Sequence, residues 1–234
     1  RTVLVIAKAS SMYQALFFGS IGTLVETTDM QRRAFNKAFR DAGLDWDWSE
    51  KDYLPMLRKS GGRQRIERYA NDRGEMVDAA ALHSAKVANF AQMMTDEGVS
   101  LRPGVRDLID HAKREGLHLG FVTSTGQDQI DAIFDALGGA LTPDEFEYIG
   151  NASRVTNGKP SPDIFLDALS SLNLSAANVL AIEDTPICAE AAIAAGITTI
   201  GFPNKGVGDT PFPTGVHVIS DLKVDLLVSL AEAT

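Results

Sequence analysis

Short apolar runs alternate with helical patterns along most of this chain. The runs lie at 13–18, 117–122, 179–182 and 198–202, and each is followed by a polar or glycine-bearing turn. Strands that alternate with helices favour a parallel sheet covered by helices on both faces. Ligands of such open sheets bind beyond the carboxyl ends of the strands. We therefore predict a Rossmann-like, doubly wound α/β core whose functional residues lie in the turns after the strands.

The stretch between the first two runs has no strand pattern and is far longer than the roughly dozen residues that a crossover needs. An inserted all-helical cap domain accounts for it. We place the cap at 28–98 and the core at 1–27 and 99–234, because the turn Leu101-Arg102-Pro103-Gly104 marks the return of the chain. The apolar residues expected to face the cap interior are Met30, Ala34, Phe35, Ala38, Phe39 and Ala42, then Ile66, Tyr69 and Ala70, then Leu82, Val87, Phe90 and Met94.

Charge and cysteine content exclude several classes of partner. The chain carries 22 Lys and Arg against 31 Asp and Glu, a net charge of −9, which disfavours non-specific binding to nucleic acid or anionic lipid. Its apolar runs are too short to span a membrane. The single cysteine, Cys188, suits a reducing cytoplasm. We expect surface or packing roles for His83, His111, His118 and His217, which lack metal-ligand spacing.

Six segments of the chain resemble, in order, the motifs of haloacid dehalogenase-like phosphatases. They are 15–46, 58–66, 101–105, 121–125, 158–165 and 181–196. Details within Arg32-Arg33-Ala34-Phe35-Asn36, Gly43-Leu44-Asp45-Trp46 and Gly61-Gly62-Arg63 resemble the CbbY subgroup, near β-phosphoglucomutase, which handles sugar phosphates. The resemblance implies a monomeric, Mg²⁺-dependent phosphatase whose partner is a small phosphorylated metabolite, a sugar phosphate.

The first motif departs from that family at its two essential positions. Members open with Asp-x-Asp-Gly-Thr, in which the first Asp attacks phosphorus and the second is the general acid and base. Gly22-Thr23 fixes the register, so Gly19 and Ile21 stand where the two carboxylates would be. Loss of a nucleophile costs on the order of 10⁶ in rate, or roughly 8 kcal/mol of barrier. The phosphatase reaction of the family should therefore be abolished. Ser20 should not replace the nucleophile, because in an extended segment its side chain points away from the phosphate.

The other residues of the family's phosphate site are retained. By resemblance, Thr123 supplies a hydroxyl to a phosphate oxygen, Ser124 beside it contacts the substrate, and Lys159 neutralises the phosphoryl group. Glu183 and Asp184 match the acidic pair that holds Mg²⁺, an ion that prefers carboxylate oxygen. The sequence thus combines a missing nucleophile with an otherwise complete pocket.

Loss of the first carboxylate changes the expected metal and charge balance. Glu183, Asp184 and the backbone carbonyl of Ile21 remain as metal ligands, so Mg²⁺ binding should be weak or depend on a phosphate ligand. Lys159 no longer faces an aspartate. We therefore expect a pocket that is more positive than in a working family member and that binds an anion without turnover.

The predicted cap supplies further substrate contacts. Gly62, Arg63 and Arg65 match the loop that contacts the distal part of the substrate, and two arginines suit a second phosphate. The histidine that usually follows the first motif is Gln31 here, which we also assign to the substrate site.

Three functions remain open at this point. The first is a catalytically impaired, CbbY-like protein that keeps a phosphate and Mg²⁺ pocket, and the retained residues beside Gly19 and Ile21 favour it. The second is an active phosphatase that uses Mg²⁺-bound water instead of the aspartate, with Asp184 as the main metal anchor. The third is a non-catalytic interaction module in which the remaining site residues are vestigial.

Overall fold

The computed structural model describes residues 13–19, 21–57 and 61–224. The strands are β1 (Ala15–Phe18), β2 (His118–Phe121), β3 (Tyr148–Ile149), β4 (Val179–Glu183), β5 (Thr198–Gly201) and β6 (His217–Val218). The helices are α1 (Ile21–Leu24), α2 (Thr28–Asp41), α3 (Glu50–Met56), α4 (Gly62–Arg73), α5 (Ala79–Glu97), α6 (Val105–Arg114), α7 (Gln127–Ala136), α8 (Asp163–Ser171) and α9 (Pro186–Ala194). None of these helices is long and apolar enough to cross a membrane.

The strands form one parallel sheet in the order β3-β2-β1-β4-β5-β6. Every residue of β1 and β4 is buried, as expected of central strands in a sheet covered on both faces. These features confirm the predicted doubly wound α/β core. The sequence did not predict β3 and β6, because a strand of two residues shows no periodicity.

The strand order places a ligand crevice at the ends of β1 and β4. From this pair, β2 and β3 extend to one side of the sheet and β5 and β6 to the other. Open α/β sheets bind ligands at such a switch in strand order, outside the carboxyl ends of the strands. Gly19 follows β1, and Glu183 and Asp184 stand at the end of β4.

Side chains of the two central strands alternate between two apolar clusters, one on each face of the sheet. Leu16 and Phe18 pack in the first cluster, and Ala15 and Phe17 pack in the second. β4 alternates in the same way, because successive residues of a strand point to opposite faces. The shared alternation fixes which side chains stand next to each other where the two strands end.

Helices α2 to α5 form the helical cap and enclose an aromatic cluster. Neighbouring ring centroids in it lie 4.7–6.1 Å apart, a spacing typical of favourable edge and offset contacts. The cap has four helices where the pattern predicted three segments, and the division of the chain at 28 and 98 stays a prediction. The rings belong to Phe35, Phe39, Trp46, Trp48, Tyr53 and Tyr69.

Two residues predicted to face the cap interior are exposed instead. Ala42 lies just beyond the end of α2, and Val87 on α5 is 39% exposed. Lys86, which precedes Val87 in the chain, is buried instead of Val87. Its ammonium lies 5.1 Å from the ring centroid of Phe35 and 4.9 Å from that of Phe90. A long alkyl stem lets lysine occupy an apolar face, which a hydrophobic pattern does not reveal.

Arg102 ties together the segments that connect core and cap. Val25 and Leu101 form an antiparallel bridge where the chain leaves and re-enters the core. The Arg102 guanidinium donates to three backbone carbonyls, those of Gly22 at 2.9 Å, Phe202 at 2.9 Å and Pro203 at 2.7 Å. The predicted return turn is therefore also an anchor for the loops that follow β1 and β5.

We expect Arg102→Met to lower the free energy of unfolding by about 2–4 kcal/mol, because it leaves several partly buried carbonyls without their charged donor. Urea denaturation of the variant measures this loss. Arg114→Met, at an exposed position of α6, is the matched control and should change stability by less than about 0.5 kcal/mol. Equal stability of the two variants would contradict the anchoring role.

Candidate functional site

The turn after β1 offers no carboxylate at either predicted catalytic position. Gly19 is buried, and its amide donates to the carbonyl of Ile182 at 2.9 Å. Ile21 begins α1, and its carbonyl, a predicted metal ligand, accepts a hydrogen bond from the amide of Val25 at 2.9 Å. Ser20 lies outside the described residues. The predicted loss of both acids thus leaves a backbone turn and an aliphatic side chain.

The pairing of β1 with β4 brings Glu183 to the position of the missing nucleophile. Phe18 and Ile182 are partners in register, so Gly19 and Glu183 are the next neighbours. A Cβ atom added to Gly19 would lie within 3.0 Å of both carboxylate oxygens of Glu183, closer than real Cβ atoms come. The Glu183 carboxylate therefore fills the space in which an aspartate side chain at this position would begin.

Lys159 forms a buried ion pair with Glu183. Its Nζ lies 2.6 Å from Oε1 of Glu183, and the two side chains are 5% and 0% exposed. The ammonium also donates to the carbonyl of Gly19. This geometry corrects the expectation of a pocket with an unbalanced lysine, because the chain supplies its own counter-ion. Burial raises the pKa of the Glu183 carboxyl, and the charge of Lys159 opposes that rise.

The predicted Mg²⁺ ligands fit that ion poorly in this arrangement. Carboxylate oxygens of Glu183 and Asp184 lie within 4.8 Å of each other, and the group that completes the cluster is the sulfur of Cys188, which was not predicted as a ligand and is too soft for Mg²⁺. Glu183 is engaged by Lys159, and Asp184 accepts a hydrogen bond from the side-chain amide of Asn204 at 2.6 Å. A magnesium ion requires near-octahedral oxygen coordination. Asp184 is the one predicted acidic ligand that lines the open cavity.

The hydroxyl predicted to contact phosphate is buried and already bonded. Thr123 is 1% exposed, donates to the hydroxyl of Thr125 at 2.8 Å and accepts from the Thr125 amide at 3.1 Å. Ser124 is partly buried, with its hydroxyl near Gly158, beside Lys159. The structure thus groups these predicted residues at the carboxyl ends of the strands, but they do not line the open cavity.

A cavity of about 600 Å³ lies between the cap and the core. The core contributes the turn after β1 and the start of α9, and the cap contributes side chains from α2, α4 and α5. The polar groups that face it include Gln31, Arg65, His83, Lys86, Asp184 and Asn204. Neither Gly19, Thr123, Lys159 nor Glu183 lines it. The buried ion pair is therefore not part of the cavity lining, although Ile21 and Asp184, which follow Gly19 and Glu183 closely in the chain, do line it.

Lys86 and His83 are site residues that the sequence analysis missed. Lys86 donates to the side-chain oxygen of Gln31, a predicted substrate residue. Burial lowers the pKa of Lys86 to about 8, and the nearby charge of Arg65 adds to the effect. Burial also lowers the pKa of His83. His83 is half-buried and lines the cavity, and no motif or spacing in the sequence marked either residue for this position.

The predicted cap loop is only partly directed at the cavity. Gly62 and Arg65 line it, and the Arg65 guanidinium lies 5.8 Å and 5.4 Å from the ring centroids of Phe35 and Tyr53. Arg63 does not line the cavity. It is 54% exposed and pairs with Glu67 at 3.0 Å, one turn along the same helix. The second cation beside Arg65 is therefore Lys86 rather than the predicted Arg63.

We expect Lys159→Met to lower the free energy of unfolding by about 3–5 kcal/mol, since it strands a buried carboxylate. The double variant Lys159→Met/Glu183→Leu should recover most of the loss, because no charge is left buried. Lys113→Met, which breaks an exposed pair with Glu145, is the control and should cost less than about 1 kcal/mol. Denaturant titration of these three variants, of the single variant Glu183→Leu and of wild type measures these differences; a loss in the double variant equal to the sum of the two single losses would refute the ion pair.

The chain is similar over nearly its whole length to CbbY proteins. Protein CbbY of Rhodobacter capsulatus is 36% identical over 222 residues, which cover 94% of this chain and 98% of that protein. The crystal structure of CbbY from Rhodobacter sphaeroides in complex with phosphate has a TM-score of 0.74 at 33% identity, covering 90% of this chain and 95% of that one. A mutant of the latter, in complex with xylulose-(1,5)-bisphosphate, gives the same values.

The family model for haloacid dehalogenase-like hydrolases matches residues 13–196, most of the chain. The parallel sheet, the helical cap and the order of the motifs agree with that match. The chain therefore belongs to the haloacid dehalogenase-like hydrolases and, within them, to the CbbY-like subgroup.

Proposed function

We propose that this protein binds a small phosphorylated metabolite, a sugar phosphate, in the cavity between cap and core without hydrolysing it. The observation that carries the proposal is Gly19, because the position of the attacking carboxylate has no side chain. Glu183 fills the space but is 0% exposed and bound to Lys159, so it does not replace the lost nucleophile. Binding then persists where covalent catalysis does not.

The charges that face the cavity support an anionic ligand. The chain as a whole is acidic, with a net charge of −9, yet Arg65 and Lys86 place two cations on the cap side of the cavity. Gln31, Asn204 and backbone groups add hydrogen-bonding capacity. A guanidinium and an ammonium in a partly desolvated cavity suit phosphate oxygens. Phosphate and a sugar bisphosphate bound to the similar CbbY of Rhodobacter sphaeroides agree with this ligand class.

The proposed binding of a phosphate ester depends little on Mg²⁺. When bound, Mg²⁺ polarises a phosphoryl oxygen and activates water. Here Glu183 is engaged by Lys159 and fits the ion poorly, which also counts against the alternative of a phosphatase that relies on metal-bound water. The remaining alternative, a non-catalytic interaction module, leaves the buried cation Lys86 in a cavity without a role. A cytoplasmic monomer remains our expectation.

We expect no phosphate release from a panel of sugar phosphates and bisphosphates, with or without Mg²⁺. At least one of these esters should raise Tm by about 5–10 °C at 100 times its Kd. Thermal melts with malachite-green detection of phosphate test both parts. Lys86→Met should abolish the rise, and Lys51→Met, at an exposed cap position, should preserve it. Robust Mg²⁺-dependent hydrolysis that Asp184→Ala abolishes would defeat the proposal.

Binding of the ester should weaken by up to about tenfold between pH 7 and pH 9, because Lys86, with a pKa of about 8, loses its charge over that range. Anion binding needs the protonated form, so affinity is highest below this pKa. The ester is already a dianion at pH 7, and His83, whose pKa is lowered, is already neutral. Calorimetric titrations measure the change. Lys86→Arg keeps its charge and should flatten the profile; an unchanged slope would contradict this role.

A further inference from the structure

The backbone at Gly19 accepts a side chain, but the space beside it is taken. Gly19 is not among the residues with positive φ, so its conformation does not require glycine. The atoms that a Cβ would meet there are the two carboxylate oxygens and Cδ of Glu183. They belong to a neighbouring strand in register, which aims the side chain at this point. The obstacle at position 19 is therefore one acidic side chain.

That side chain also takes the ionic partner of the missing acid. Lys159 is 5% exposed and stands 2.6 Å from Oε1 of Glu183, and a buried ammonium needs such a counter-ion. Among the described residues, Oε2 of Glu183 has no hydrogen-bond partner and is shielded from solvent. An orphan carboxylate oxygen costs free energy, so the pair is only partly satisfied. A second anion that reached Lys159 would compete with Glu183 directly.

We propose that Glu183 is an internal counter-ion that occupies the place of the lost nucleophile and sets the anion affinity of the pocket by competing with phosphate for Lys159. This inference rests on the proposed function, because it concerns the same ligand. It differs from the role predicted from the sequence, in which Glu183 helps to hold Mg²⁺. Removal of its charge should strengthen the binding of phosphate rather than weaken it.

The experiment is calorimetric titration of inorganic phosphate, without divalent ions, into wild type and Glu183→Gln. We expect about tenfold tighter binding by the variant. Glu190→Gln, the same chemical change at an exposed position of α9, is the matched control and should bind as wild type does. Lys159→Met introduced into Glu183→Gln should remove the gain, because the two charges compete at that atom.

A stability measurement tests the geometry without any ligand. Gly19→Ala should lower Tm by at least about 2–4 °C, because its Cβ meets the Glu183 carboxylate. In a Glu183→Ala background the same substitution should be neutral, which a double-mutant cycle measures. Losses that simply add would overturn the claim that Glu183 fills this space.

The outcomes separate this inference from the function on which it rests. Phosphate binding by wild type that is unchanged or weakened in Glu183→Gln overturns the inference alone. Binding by Glu183→Gln but not by wild type supports the inference and overturns the proposed function. Absence of binding in both proteins overturns both. Turnover by wild type that Glu183→Gln abolishes would make Glu183 a replacement nucleophile and would also overturn both.

Discussion

The parallel pairing of β1 with β4 determines most of what this molecule can do. It places the ends of two buried strands side by side, so that Gly19 and Glu183 are neighbours on one side of the ligand crevice. An acid at position 19 would place a second carboxylate beside Glu183, and like charges that share a site oppose each other. With glycine there, the same backbone geometry lets one carboxylate enter the vacated space. The pairing of the strands does not depend on the residue at position 19, but the charged groups at the strand ends do.

Lys159 explains why the vacancy is filled by a charge and not by an apolar group. A buried ammonium without a counter-ion is costly, and the carboxylate of Glu183, which was predicted to be a metal ligand, relieves that cost. The cations of the cap are stabilised in a different way. Lys86 and Arg65 stay at the edge of the aromatic cluster, with their cations over rings, and keep a positive surface toward the cavity. The charge of Lys159 is thus balanced by Glu183, whereas the positive charges of Lys86 and Arg65 remain at the cavity.

The sequence predicted the fold well because its signals are strong. Four apolar runs and six ordered motifs fixed the core strands, and Gly22-Thr23 fixed the register that identifies Gly19 and Ile21. Side-chain placement at the site could not be predicted. The position of the Glu183 side chain depends on Gly19, its neighbour across the sheet, and the inward position of Lys86 depends on the length of its alkyl stem. A helical pattern also does not decide which of two adjacent residues faces inward, so the sequence predicted Val87 in the interior position that Lys86 occupies.

Both tryptophans of the chain, Trp46 and Trp48, belong to the aromatic cluster of the cap and are buried. The indole of Trp46 donates to Glu75 at 2.8 Å, whereas that of Trp48 has no partner among the described residues. Tryptophan fluorescence, excited at wavelengths that tyrosine does not absorb, therefore originates in the cap, with one indole bonded to a carboxylate and one without a hydrogen-bond partner among the described residues. Far-ultraviolet dichroism samples the whole fold, so the two signals together distinguish melting of the cap from collapse of the sheet.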